Sequence, residues 1–330
     1  MVITKTPFRI SFFGGGTDYP AWYKENAGSV LSTTIDKYCY ISCRRLPPFF
    51  KYKHRIVYSR AESTSKIDSI VHPSVRETFR FMKINEGLEI HHDGDLPARS
   101  GLGSSSSFTV GLLHALYALN GQMVTKQRLA EEAIHIEQNL IKEFVGSQDQ
   151  IATAFGGLNK INFYTDSSFT LTPIILRKER IHDFESHLML FFTGFSRIAS
   201  DIAKEQIKKI HRTKKELSIM HQMVEEAVSI LNSGSDIGEF GKLLNESWKL
   251  KRSLSDKVSN ERIDKIYETA CLGGALGGKI LGAGGGGFML IFARPKDQQR
   301  IKEKLKKLLL VPIKFEDSGS QVVVYSPNGL

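Results

Sequence analysis

Only three of the 330 residues are cysteine, and Cys39, Cys43 and Cys271 are too few and too scattered for a disulfide framework. They read as reduced, half-buried thiols. Cys39 and Cys43 lie in a β-branched and aromatic stretch with no matching His or Cys pair elsewhere, which sets zinc-thiolate chemistry aside. Long apolar runs are missing too. The best candidates, Phe288 to Ala293 and Leu308 to Val311, fall far short of the ~18 residues a membrane span needs. The opening Met-Val-Ile-Thr-Lys-Thr-Pro has no basic stretch followed by an apolar one, so no secretory leader is visible and a cytoplasmic address is the expectation. Internal repeats and low-complexity linkers are also lacking.

What remains is 41% hydrophobic and 24% charged, the make-up of an ordinary globular chain long enough for two domains at roughly 100–200 residues each. The net charge of +10 attracts anions without naming them. Much of it sits at Lys204 to Lys215 and Lys296 to Lys307, at helical spacing among acids and apolar residues, as on solvated helix faces. Basic residues interleaved with aromatics are not found, so no nucleic-acid partner is expected.

Hydrophobic periodicity predicts an α+β chain. Phe8 to Phe13, Ser29 to Ile35, Tyr38 to Arg44, Arg55 to Tyr58 and Leu88 to His92 read as strands, and Val75 to Asn85 as a helix. Ser104 to Leu119 and Lys126 to Phe144 read as amphipathic helices, and Leu158 to Phe163, Phe169 to Leu176 and His187 to Thr193 as strands again. Long helices follow from Ala199 to Leu272, then a glycine tract, a strand at Phe288 to Ala293, a basic helix and two short final strands. A boundary near residue 180 divides the chain into 1–180 and 181–330.

The strongest local signal is Leu96-Pro-Ala-Arg-Ser-Gly-Leu-Gly-Ser-Ser-Ser-Ser107, directly before a helix. Gly101 and Gly103 allow close backbone approach, and free N–H groups at a helix start form an anion site; a Ser-capped helix would need just one of those serines. A second tract, Gly282-Ala-Gly-Gly-Gly-Gly287, fits a dinucleotide fingerprint in its letters but precedes a strand where that fingerprint needs a helix. Gly273 to Lys279 resembles a phosphate-binding Walker loop but has Ile280 where Ser or Thr is required. Glu137 lies on the apolar stripe Ala130, Ala133, Ile134, Ile141 and Phe144, where a carboxylate needs a cation, as a core salt bridge or as a metal or catalytic site. Twelve residues on, Asp149 follows a polar turn and reads as a helix-start acid or a base. Near the N-terminus, Arg9 sits in a strand, and Thr17 and Asp18 follow the glycine turn Gly14-Gly15-Gly16.

In order along the chain, these motifs resemble the GHMP kinases (galactokinase, homoserine kinase, mevalonate kinase, phosphomevalonate kinase), and the resemblance covers essentially all of it. It implies a ribosomal-protein domain-2-like N-terminal domain and a ferredoxin-like C-terminal domain, with the site between. It implies ATP phosphates against Gly101, Leu102, Gly103, Ser104, Ser105, Ser106 and Ser107, and Mg2+ held by Ser105 and Glu137. Asp149 matches the catalytic aspartate and Arg9 the cation beside it. Gly284 and Gly285 would border the substrate. Thr17 and Asp18 match a sugar-binding segment, whose wording is nearest to the branch that phosphorylates C1 of D-glycero-D-manno-heptose 7-phosphate for GDP-heptose and surface polysaccharide. Galactokinases carry Glu-His where this chain has Gly15 and Gly16, which makes room for a longer, anionic sugar. Arg44, Arg45, Lys51 or Lys53 are the expected holders of its phosphate. Competing expectations are another sugar 1-kinase, of fucokinase or galactokinase type, and a non-catalytic sugar sensor; the latter would follow from a damaged loop or a lost aspartate, yet both are intact.

Overall fold

The β-branched and aromatic start of the chain forms two long antiparallel strands, β1 (Val2–Phe13) and β2 (Gly28–Arg45), in a computed structural model that describes residues 1–98, 100–195 and 199–327. Arg99 of the glycine-serine motif lies outside the described residues. Sequence reading divided β2 in two. Instead Pro7 faces Tyr38 and Phe8 faces Ile35, so Asp36 and Lys37 bulge out and the strand bends without breaking.

Around this pair the sheet runs β13 (Gln321–Tyr325), β1, β2, β5 (Leu88–Gly94), β3 (His54–Val57) and β4 (Ala61–Thr64). Strands β6 (Asn159–Phe163) and β12 (Phe315–Glu316) pair with other parts of β2, and β7 (Phe169–Pro173) pairs with β6, making nine strands among the described residues. The second sheet is antiparallel, in the order β11 (Leu309–Val311), β8 (Leu188–Phe192), β10 (Phe288–Ala293) and β9 (Ala275–Ile280). The break near residue 180 falls at the helix Lys178–Ser186 leading into that sheet. The C-terminal half does not keep to it, however, because β12 and β13 return to the first sheet, with Val2 opposite Tyr325.

Two packing features fix the site. The helix Ser104–Leu119 lies across β1 and β2, and a side chain at Gly111 would come 2.9 Å from the Thr6 hydroxyl. Phe12 and Phe13 of β1 meet Phe184, Phe240 and Phe292, with Phe240 edge-on to Phe12, Phe13 and Phe184 at 5.5, 5.1 and 4.7 Å. This shared aromatic core locks the first sheet to the second. The Walker-like tract Gly273 to Lys279 is largely strand β9, and its glycines serve packing: a side chain at Gly277 would lie 2.0 Å from the Gly241 carbonyl oxygen of the helix Gly238–Ser253. Cys39 and Cys43 are buried in the core, whereas Cys271 is exposed.

Candidate active site

Gly101 and Gly103 turn the chain with φ of 80° and 76°, and the helix beginning at Ser104 follows directly, so its first turn lines the cavity. The loop is braced by the second glycine tract. A side chain at Gly101 would lie 2.4 Å from the Leu281 carbonyl oxygen, and one at Gly282 would lie 2.6 Å from the Gly101 Cα. Replacing Gly101 by Ala should therefore cost about 2 kcal/mol or more of stability through left-handed strain and collision. Calorimetric unfolding and nucleotide titration of that variant should show a lowered Tm together with weakened nucleotide binding.

Arg9 points from β1 at the underside of this loop. Its Nε and Nη2 donate to Oδ1 and Oδ2 of Asp149 at 2.8 and 2.7 Å, and its Nη1 donates to the Gly101 carbonyl at 2.7 Å. The backbone N–H of Arg9 also donates to the Leu102 carbonyl at 2.9 Å. The arginine side chain is 4% exposed and Asp149 24%, so the carboxylate keeps one open side toward the cavity while its in-plane orientation is fixed. Asp149 sits in the first turn of the helix Gln148–Phe155, where the helix dipole favours an anion.

The expected helix Lys126 to Phe144 ends early. It is α-helical over Lys126–His135, then widens into a π-turn at Ile136–Leu140, where the Ile141 N–H reaches back five residues to the Ile136 carbonyl at 2.8 Å. That turn holds Glu137 fully buried. Its Oε2 accepts from the hydroxyl of Ser106 at 2.9 Å and from the Gln150 amide, and its Oε1 is buried without a hydrogen-bond partner among the described residues. Burial raises its pKa to about 7. Ser106, not Ser105, is thus the serine beside Glu137; a step of 100° around the helix turns the neighbouring Ser105 out toward solvent. Leu102 and Ser107 face inward, the Ser107 hydroxyl donating to the Pro7 and Gly103 carbonyls, which leaves Gly101, Gly103, Ser104, Ser105 and Ser106 on the cavity wall.

Gly15, Gly16 and Asp18 also line the cavity. Asp18 is 3% exposed, accepts from the Gly16 N–H at 2.8 Å and the Gln148 amide at 3.0 Å, and is shifted upward in pKa chiefly by burial. A side chain at Gly146 would collide with its Oδ2 at 1.7 Å, which explains that glycine. Thr17 does not face the cavity: its hydroxyl donates to the Gly14 and Ser29 carbonyls and closes the turn. Gly284 and Gly285 pack on Val258, with the Gly285 N–H donating to its carbonyl, and Gly282 and Ala283 line the wall in their place. Arg44, Arg45, Lys51 and Lys53 are likewise off the wall, Arg44 being paired with Glu89 and Arg45 with Glu86.

Sequence reasoning missed two lysines. Lys251 and Lys279 are 7% and 2% exposed and line the same wall, with burial depressing both ammonium pKa values, that of Lys251 to about 7. The signal was available for Lys251, which continues the buried stripe Leu244, Trp248, Lys251 at helical spacing, the same anomaly that marked Glu137.

Arg9, Asp18, Ser104 to Ser106, Asp149, Lys251 and Lys279 share one cavity of about 1090 Å³, with Glu137 buried behind Ser106. Its far end is lined by Tyr58, Val71, His72, Pro73, His92 and Phe108. There the His72 ring stacks on Phe108 at 4.5 Å with Tyr58 edge-on at 4.8 Å, burial drops the His72 pKa to about 4, and Arg60 and Asp93 flank this aromatic wall.

The amino-acid sequence matches the GHMP kinases N terminal domain over residues 70–157 and the GHMP kinases C terminal domain over 205–309. It is 30% identical over 323 residues to the D-glycero-alpha-D-manno-heptose 7-phosphate kinase of Campylobacter jejuni, covering 92% of this chain and 93% of that one. The chain belongs to the GHMP kinases. These kinases use ATP as phosphoryl donor, and the Gly101–Ser107 loop, the Arg9–Asp149 pair and the bracing glycine tract lie at a single cleft here. The galactokinase of Pyrococcus furiosus is 26% identical over 369 residues, covering 100% of this chain and 99% of the relative. In fold, the GHMP kinase matches the crystal structure of a D-glycero-D-manno-heptose 1-phosphate kinase from Bacteroides thetaiotaomicron with a TM-score of 0.81 at 22% identity, over 99% of this chain and 100% of that one. Among the described residues no helix is long and apolar enough to cross a membrane.

Proposed function

We propose that this kinase transfers the γ-phosphoryl group of ATP to the anomeric C1 hydroxyl of D-glycero-D-manno-heptose 7-phosphate, giving the 1,7-bisphosphate used in the cytoplasm to make a GDP-activated heptose for surface polysaccharide. The observation that carries the transfer is Asp149, oriented on both oxygens by Arg9 and open to the cavity between the phosphate loop and the Asp18 wall. The heptose phosphate is supported by the name of the Campylobacter relative, which specifies a heptose 7-phosphate. Gly15 supports it as well, since a side chain there would meet only the Ser11 hydroxyl, at 3.8 Å, and its absence widens the wall. Gly16 serves a different end, its φ of 104° aiming its N–H at Asp18.

The adenine lies in the aromatic end and the phosphates run along Gly101 to Ser106. Asp149 is held on both oxygens by Arg9 with one side open; in a loose phosphoryl-transfer transition state the hydroxyl proton leaves late, so orienting the nucleophile is its main task. Asp18 accepts hydrogen bonds from sugar hydroxyls. For a magnesium ion the donors fit: a buried carboxylate with one oxygen unpartnered and an adjacent serine hydroxyl are hard oxygen ligands, and Mg2+ takes few protein ligands beside phosphates and waters. Glu137 and Ser106 would hold it, and when bound it neutralises charge on the donor phosphates.

ADP release should be measured with Mg-ATP across heptose 7-phosphate, free heptose, galactose and fucose. Turnover confined to the heptose phosphate is the expected result, with the product phosphate at C1 by 31P and 1H NMR. Preference for an unphosphorylated sugar would replace the substrate assignment, and turnover of none of them would remove it.

A further inference from the structure

Lys251 and Lys279 are buried amines that the transfer chemistry leaves unexplained. Among the described residues neither has a carboxylate within ion-pair distance. Lys251 Nζ donates to the carbonyls of Ile280, at 3.1 Å, and Gly282, and Lys279 Nζ donates to the Phe12 carbonyl at 2.7 Å. Each ammonium has three N–H donors, so three remain between them. Beside them on the wall is Ser11, 5% exposed, whose hydroxyl is buried without a partner and faces Gly15. Burial and the positive charge of Arg9 lower the pKa of both lysines, while Asp18 acts against them, so a bound anion would restore their protons. Buried ammonium groups without a counter-charge are rare because their desolvation is costly. This wall is therefore built for a polyanion carrying oxygens that several donors can reach at once.

We propose that Lys251, Lys279 and Ser11 form the subsite for the phosphate that the acceptor sugar already carries, and so select phosphorylated sugars over free ones. The proposal rests on the kinase reading above. The donor nucleotide also offers phosphates, yet these belong at the helix start beyond Gly103. The two lysines are tied instead to Phe12 of β1 and to the Ile280–Gly282 turn that braces the loop from behind, and they share the wall with Gly15, Gly16 and Asp18. An acceptor bound there has its hydroxyls on Asp18 and its phosphate on the lysines, leaving the far hydroxyl free to turn toward Asp149.

The test compares wild type with Lys251→Met and Lys279→Met on heptose 7-phosphate and free heptose, and titrates a non-hydrolysable ATP analogue into each without sugar. Loss of a charge-assisted hydrogen bond should raise KM for the sugar phosphate about 30-fold in each variant. The ratio of kcat/KM for the phosphorylated over the free sugar should fall by a similar factor, and the nucleotide Kd should stay within twofold. An unchanged sugar-phosphate KM overturns the proposal, as does a weakened nucleotide Kd with an unchanged acceptor KM, which would give the lysines to the donor. A measurement on unaltered protein guards against variants that fail to fold: inorganic phosphate should inhibit competitively against the sugar phosphate and not against ATP, and the reverse pattern refutes the subsite. Turnover that fails to distinguish the two sugars overturns only the lysine subsite, whereas turnover of neither removes the acceptor reading on which it rests.

Discussion

Asp149→Asn should lower kcat about a thousandfold, within the range that a positioned acid–base group contributes. The amide keeps one acceptor for Arg9 Nε but presents N–H to Nη2, so the 2.7 Å contact is lost and the guanidinium, 4% exposed, is left partly unpaired. Some stability goes with it, about 1–2 kcal/mol because Asp149 is partly solvated. Nucleotide affinity should change little, since Asp149 lies below the loop and not on its N–H groups. Arg9→Met should also abolish most activity, and the double variant should be no worse than the more impaired single one, as for groups that act as a unit. Rapid-quench phosphoryl transfer on saturated enzyme measures the chemical step directly. A loss of less than tenfold for Asp149→Asn would exclude it from the reaction.

Glu137→Gln should do two opposite things. Turnover should collapse, with Mg2+ affinity down at least about a hundredfold. In metal-free buffer the same variant should be more stable than wild type at pH 8. Glu137 releases its proton near 7 when folded and near the ordinary 4.5 when unfolded, so between those values the folded chain holds more protons. Wild-type stability therefore falls as pH rises through that window and stays low above it, by about 3 kcal/mol for a gap of this size. The amide cannot ionise, so its variant should lose this pH dependence. Denaturant unfolding in a chelator at pH 5 and pH 8 checks the sign: convergence at the acid end and a more stable variant at the alkaline end. A variant less stable at pH 8 would mean that the buried carboxylate already has its counter-charge within the protein.

These residues also show how far the sequence could be read. Glu137 was visible because an acid on an apolar helical stripe breaks periodicity, and that is a local property. The π-turn that carries it was not visible, since five-residue hydrogen bonding leaves no mark on the apolar spacing of Ile136 to Leu140. Its consequence is the exchange of Ser105 for Ser106: four consecutive serines are equivalent as letters, and only the rotation of one helix relative to the other selects among them. Asp149 and Arg9, 140 residues apart, were joined by family resemblance and not by spacing. Thr17 went astray because a turn-closing hydroxyl and a ligand-facing one look alike beside glycines. Lys279 had no readable signature, as its burial depends on pairing between β9 and β10 and on packing against β1, contacts far apart along the chain. The return of β13 was hidden for the same reason. It was read as one of two short final strands, and nothing in it named the partner.

That returning strand sets a clock on biosynthesis. The outer edge of β1 is filled by residues 321–325, so throughout translation the first sheet offers a bare row of N–H and C=O groups from its earliest strand. At roughly 5–20 residues per second the interval is about 15–60 s. For that time the edge is open to pairing with another chain. Emergence of residues 321–325, and not completion of either sheet's own local segment, is the event that closes the fold.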